Sequence, residues 1–133
     1  MGTAPIFANA PIVGTGIVPA TLDTSLTAPT NQTTLSFSTA IGSSGAKIEQ
    51  VDVIGLGTTV AGVLNTFLYD GSTYHLFDQW LISAVTSSTT AVAFRASRQY
   101  PNLIIPSSWS FRITNTIAGN QSLLEVNAYG ANF

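Results

Sequence analysis

From Thr33 to the C-terminus, apolar and polar side chains alternate with a period of two, and turn-forming residues break the alternation at short, regular intervals. A strand shows successive side chains to opposite faces, whereas a surface helix repeats its apolar residues every three or four positions. No window of about a dozen residues carries the helical stripe. That restricts the chain to an all-β fold.

The predicted strands can be read in order. Residues 34–38 alternate and lead into a Gly42-Ser43-Ser44-Gly45 loop. Residues 47–56 set Val51 and Val53 on one face and Gln50 and Asp52 on the other. Residues 60–69 are apolar on both faces and are expected at the centre of a sheet. Asp70-Gly71 is a strong hairpin turn, and residues 74–83 return with His75, Phe77, Gln79 and Leu81 on one face and Tyr74, Leu76, Asp78, Trp80 and Ile82 on the other. Residues 91–96 follow a Ser/Thr cluster. Leu103-Ile104-Ile105, between Pro101 and Pro106, fits only an edge strand or a very short one. Residues 109–117 place Trp109, Phe111, Ile113 and Ile117 inward, and Gly119-Asn120 turns the chain into residues 123–129. About eight strands with turns at 8–12-residue spacing predict an antiparallel β-sandwich over residues 33–133. A jelly roll is favoured, with an immunoglobulin-like or other Greek-key sandwich as the alternative.

Residues 1–32 differ from the rest. Asp23 is their only charge, and Pro5, Pro11, Pro19 and Pro29 forbid a long helix and hold their predecessors extended. A disordered linker is polar and charged, whereas this segment is apolar. It is expected to be an extended N-terminal arm lying on its own domain or, preferentially, on a neighbour. Ile6, Phe7, Ile12, Val13, Ile17 and Val18 are its candidate partner-binding side chains.

Composition narrows the partners. Charged residues make up 8% of the 133 residues, against about 25% in an ordinary soluble domain. In their place stand 18 Thr and 14 Ser, hydroxyls that can be covered in a contact without desolvating an ion. A net charge of −2 with four scattered cations provides no basic stripe for nucleic acid. No apolar run approaches a membrane span and no charged leader precedes one, so the expectation is a soluble protein with no export signal and no membrane partner.

Catalytic constellations are missing as well. His75 is the single histidine, no Gly-x-Ser-x-Gly elbow presents a nucleophile, and one His without Cys cannot build a tetrahedral zinc site. Glu49 and Asp52, three positions apart, point to opposite faces of a regular strand. Gly55-Leu56-Gly57-Thr58-Thr59-Val60 lacks the third glycine of a phosphate loop and precedes a strand. The expectation is therefore no catalytic residue, no cofactor and no metal. Trp80, Trp109, Tyr74, Tyr100 and Tyr129 could stack on sugar rings if exposed together. For the two tryptophans core packing is preferred, with Trp80 sharing a face with Tyr74 and Leu76.

The segments Lys47-Ile48-Glu49-Gln50-Val51-Asp52-Val53, Asp70-Gly71-Ser72-Thr73-Tyr74-His75-Leu76-Phe77, Asn102-Leu103-Ile104-Ile105-Pro106 and Val126-Asn127-Ala128-Tyr129-Gly130-Ala131-Asn132-Phe133 resemble those of small virion proteins of tailed bacteriophages. More narrowly, the chain resembles their head decoration, or cement, proteins of jelly-roll type. The resemblance implies a capsid decoration protein on the outer surface of the phage head, bridging neighbouring subunits of the major capsid protein. It also implies a homo-oligomer, a trimer ahead of a dimer, found in the host cytoplasm before assembly and on the virion afterwards. The alternative function is a tail, collar or fibre-associated module that recognises a host surface glycan.

Overall fold

The structure, a computed structural model, describes residues 10–133. The strands in chain order are β1 (Ala10–Ile17), β2 (Thr33–Thr34), β3 (Ser36–Phe37), β4 (Ala46–Gly55), β5 (Gly62–Tyr69), β6 (Tyr74–Ile82), β7 (Arg95–Ile105), β8 (Ser110–Asn115) and β9 (Leu124–Asn132). There is no helix among the described residues, and hence none long and apolar enough to cross a membrane.

The chain is wound around the Asp70-Gly71 turn. Gly71 adopts a φ of 103°, the left-handed region that glycine enters without a steric penalty. The Asp70 carboxylate accepts the backbone N–H groups of Ser72 and Thr73 at 2.9 and 2.8 Å. This tip joins β5 to β6 antiparallel. Outside that hairpin β4 pairs with β7, then β2 with β8, and finally β1 with β9. The result is a nested series of antiparallel pairs, like one long hairpin rolled up on itself.

Two sheets result, β3-β1-β9-β4-β7 and β2-β8-β5-β6, forming a β-sandwich. The chain changes sheet between β2 and β3 at Leu35, which is buried in the core and bonds through its N–H to the Phe111 carbonyl at 2.9 Å. Ile48, Val51, Val53, Val126 and Ala128 of the first sheet meet Leu64, Trp80, Ile82, Phe111 and Ile113 of the second. Burying each large side chain among these contributes about 1.5–3 kcal/mol. As expected, β5 lies inside its sheet, with β8 on one side and β6 on the other.

The segment taken for an arm contains a full strand. Ala10 to Ile17 pairs residue by residue with Asn132 to Glu125, and Ile12 and Val18 are buried in the chain's own interior. Residues 10–18 therefore belong to the sandwich itself. Their period of two is hidden because glycines fill the inward positions after Ile12. A Cβ on Gly14 would meet the Phe37 ring at 2.6 Å, so this position must stay bare.

Two bulges and one strand boundary correct further expectations. An irregularity between Ile48 and Gln50 makes Glu49 an extra residue against β9. Glu49 then stands beside Lys47 at 3.8 Å with its side chain exposed, so the opposite-face rule for Glu49 and Asp52 does not apply. A second bulge, between Thr66 and Phe67 on β5, leaves Phe77 unpaired on β6. Tyr74 and Leu76 pair with Tyr69 and Phe67, whereas Trp80 pairs with Leu64. Directly paired residues share a face, so Trp80 does not share one with Tyr74 and Leu76. Finally, residues 95–105 form one continuous strand that carries Pro101, a residue tolerated because β7 is an edge strand.

Candidate interaction surface

Rolling up the hairpin gathers loops 18–32, 56–61, 83–94 and 116–123 at one end of the sandwich. Neutral hydrogen bonds tie them together. The Leu56 N–H bonds to the Leu123 carbonyl at 2.7 Å, and Thr59 and Val85 exchange backbone bonds at 3.0 and 3.2 Å. Asn120, fully buried, clasps Val60 with both ends of its amide: its Oδ1 accepts the Val60 N–H at 2.9 Å and its Nδ2 donates to the Val60 carbonyl at 2.8 Å. Asp23 anchors loop 18–32 through its N–H to the Asn115 carbonyl at 3.0 Å.

These loops hold one charged side chain, Asp23, and its charge is consumed internally. Burial opposes ionisation, yet the backbone N–H groups of Asn31, Ser25 and Thr30 and the Thr30 hydroxyl hold the Asp23 carboxyl below its ordinary value. The remaining surface is apolar. Of eleven exposed large hydrophobic side chains among the described residues, eight lie on these loops or at the adjoining strand ends: Ile17, Leu22, Leu26, Leu56, Val60, Leu81, Val92 and Ile117. Val92 is 88% exposed and Leu81 77%. Isolated exposed hydrophobics need no explanation, but their concentration on one end, whose loops leave no charge free, marks an interaction surface.

The loops of the opposite end also hold one charged side chain, Asp70, and here it faces a histidine. The His75 ring bonds to the Asp70 carboxylate at 2.9 Å and stacks on Trp109 at 5.5 Å. That bond to His75, with the N–H groups of Thr73 and Ser72, pulls the Asp70 carboxyl far below the ordinary carboxylate range. Between the two ends, β6 and β7 are the free edges of different sheets, and side chains bridge them. Arg98 donates to Asp78 at 2.7 Å and to the Gln79 carbonyl at 2.8 Å, lies 4.3 Å above the Trp80 ring, and is joined at Asp78 by the Tyr100 hydroxyl at 2.5 Å. Burial raises the Asp78 carboxyl, but the Tyr100 and Arg98 bonds prevail and leave it lowered. Burial and the negative Asp78 push the Tyr100 hydroxyl far above its usual range.

The candidate arm residues are thus divided. Ile12 and Val18 are core, Val13 and Ile17 are exposed on the five-stranded sheet, with Ile17 at the loop end, and Ile6 and Phe7 lie outside the described residues. Of the candidate stacking aromatics, Trp80 is buried, Trp109 packs against the core and Tyr74 stacks on Tyr69 at 4.2 Å. Tyr100 and Tyr129, distant in sequence, line one depression of about 700 Å³ on the outer side of β4, β7 and β9. No cluster of three or more metal-binding side chains occurs among the described residues.

The residues that sequence reasoning missed are Leu56, Val60, Leu81, Val92 and Ile117. The alternation puts each of them on a strand or at its end; the uncharged stretches 56–61, 83–94 and 116–123 are the signal for four of them, and nothing in the sequence singles out Leu81. No protein-family model, no curated protein and no solved structure matches this chain.

Proposed function

We propose that the protein is a structural component of a virus particle whose sandwich is a jelly roll. The nested pairing β5–β6, β4–β7, β2–β8 and β1–β9 supports that reading, since two interleaved Greek keys over eight strands define a jelly roll and viral capsid domains are among its commonest users. More particularly, it is a capsid decoration protein that cements the outer surface of a tailed-phage head. Its partners are the major capsid protein and further copies of itself, a homotrimer ahead of a dimer.

One observation carries this function: the apolar side chains are concentrated on a preorganised loop end without free charge. Covering such a surface releases apolar area without stranding an ion, and loops already tied together lose little entropy on docking. A protein that binds only the assembled shell stabilises it by mass action, and many copies around a closed shell multiply modest contacts.

The test is co-sedimentation of the purified full chain with phage heads assembled without it. A Leu56→Glu/Val92→Glu variant, altered only at exposed positions, is expected to lose at least about tenfold in occupancy, since each buried unpaired charge costs more than the 1.4 kcal/mol that a factor of ten represents. Unchanged occupancy would overturn the docking role of this end.

A further inference from the structure

The depression on the outer side of β4, β7 and β9 is made by irregular backbone. Opposite the extra residue Glu49, β7 runs from Gln99 to Leu103 while β4 runs only from Gln50 to Ile48. Tyr100, Pro101 and Asn102 thus lie opposite one residue, and Pro101 has no N–H to give a ladder. Bulges of this kind bend a strand and re-aim its side chains. Gly130 lets β9 run close beneath β4 there, because a Cβ would stand 2.0 Å from the Lys47 carbonyl.

The chemistry of the walls is specific. Tyr129 is 37% exposed and offers a ring. Gln50 is held by its Nε2, which donates to Asp52 at 2.9 Å and Ser97 at 3.1 Å, leaving its Oε1 as an acceptor. Gln99 makes no side-chain hydrogen bond among the described residues and keeps a donor and an acceptor. Glu49 and Lys47 add an exposed carboxylate and an ammonium whose charges cancel. A volume near 700 Å³ lies within the range of about 300–1,000 Å³ found for small-molecule clefts.

From these features we propose that the depression is a saccharide-binding site, taking a neutral hexose or N-acetylhexosamine unit of a glycan. The absence of net charge disfavours phosphates and polyanions. Walls of amides and ionic groups disfavour a wholly apolar ligand. A sugar ring matches both halves of the site: its C–H face covers the Tyr129 ring, while its hydroxyls both donate and accept toward Gln50, Gln99 and Glu49. The site lies away from the apolar loops, since Gln50 is five residues from Gly55 at the loop end of β4, about 17 Å along a strand. A copy docked by its loops alone would leave the site uncovered.

Saturation-transfer NMR on the full chain tests this, with glucose, galactose, mannose, N-acetylglucosamine and N-acetylgalactosamine as probes at millimolar concentration. At least one sugar is expected to receive saturation. That transfer is expected to vanish in Tyr129→Ala, fall at least twofold in Gln99→Ala, and persist in Tyr129→Phe and Val92→Glu. No transfer to any of the five sugars overturns the proposal. So does transfer that survives both Tyr129→Ala and Gln99→Ala in variants whose melting temperature matches the parent.

Discussion

The two ends of the sandwich solve the same problem with one carboxylate each, buried at one end and more exposed at the other. Both must hold chain reversals in place at the limits of the sheets. The tip end uses charge, with Asp70 gathering His75 and the N–H groups of Ser72 and Thr73. The loop end keeps its one carboxylate, Asp23, buried and satisfied by N–H groups within loop 18–32, and ties its loops to one another with neutral groups, Asn120 clasping Val60. A charged tie facing water is harmless, but the same tie under a docked partner must be desolvated at a cost of several kcal/mol per ion. A carboxylate already buried and satisfied from within, with neutral ties between the loops, lets one end be covered.

The largest effect should come from breaking the neutral clasp. Asn120→Ala strands the Val60 N–H and carbonyl in a buried setting, and loss of those bonds should cost about 3 kcal/mol. Urea denaturation reads it as a lowered midpoint at constant slope. A loss under about 1 kcal/mol would mean that the loop end is not held as described.

A smaller loss is expected at the sandwich edge. Asp78→Ala leaves Arg98 and the Tyr100 hydroxyl without their carboxylate. Charge-assisted bonds are worth about 1.5–3 kcal/mol each, but the Arg98 side chain is 42% exposed and solvent screens it, so about 1–2 kcal/mol in all is expected from the same measurement.

Acid should weaken both ends and the edge between them. Asp70, Asp78 and Asp23 have lowered pKa values in the folded state. Stability from a depressed carboxyl is complete above its unfolded pKa of about 4 and is lost as pH falls through the folded value. The melting temperature should therefore fall as pH drops below about 4, and an Asp70→Asn variant should show a shallower fall over the same interval. Equal slopes for the two proteins would remove Asp70 from the account of the tip.

The smallest effect on stability sharpens the contrast most. Val92 is 88% exposed, so Val92→Ser should change unfolding free energy by less than about 0.5 kcal/mol while lowering occupancy on phage heads. A change in stability without a change in occupancy would reverse the roles assigned to the two ends.

Much of this was legible in the residues. The alternation around Asp70-Gly71 announced a hairpin and β5 and β6 form it; of the four residues read as inward on residues 109–117, Phe111 and Ile113 are buried core, Trp109 is partly buried and Ile117 is exposed. The expectation of an arm failed at residues 10–18 because glycine carries no hydropathy signal: Gly14 and Gly16 fill inward positions in β1 without announcing it. The face assignment of Tyr74 and Leu76 failed because one unpaired residue reverses every side chain beyond it.

The sequence by itself determined that the fold is all-β, that it turns at Asp70-Gly71, and that its surface is poor in charge, because alternation, turn chemistry and composition are local properties. Only the tertiary structure decided that β1 joins β9 and that Tyr100 and Tyr129 line one depression. It also decided that four charge-poor loops from distant parts of the chain form one apolar end. Those outcomes depend on pairing and register across the whole chain. They are set by which sheet buries which face, a choice that no short window of residues contains.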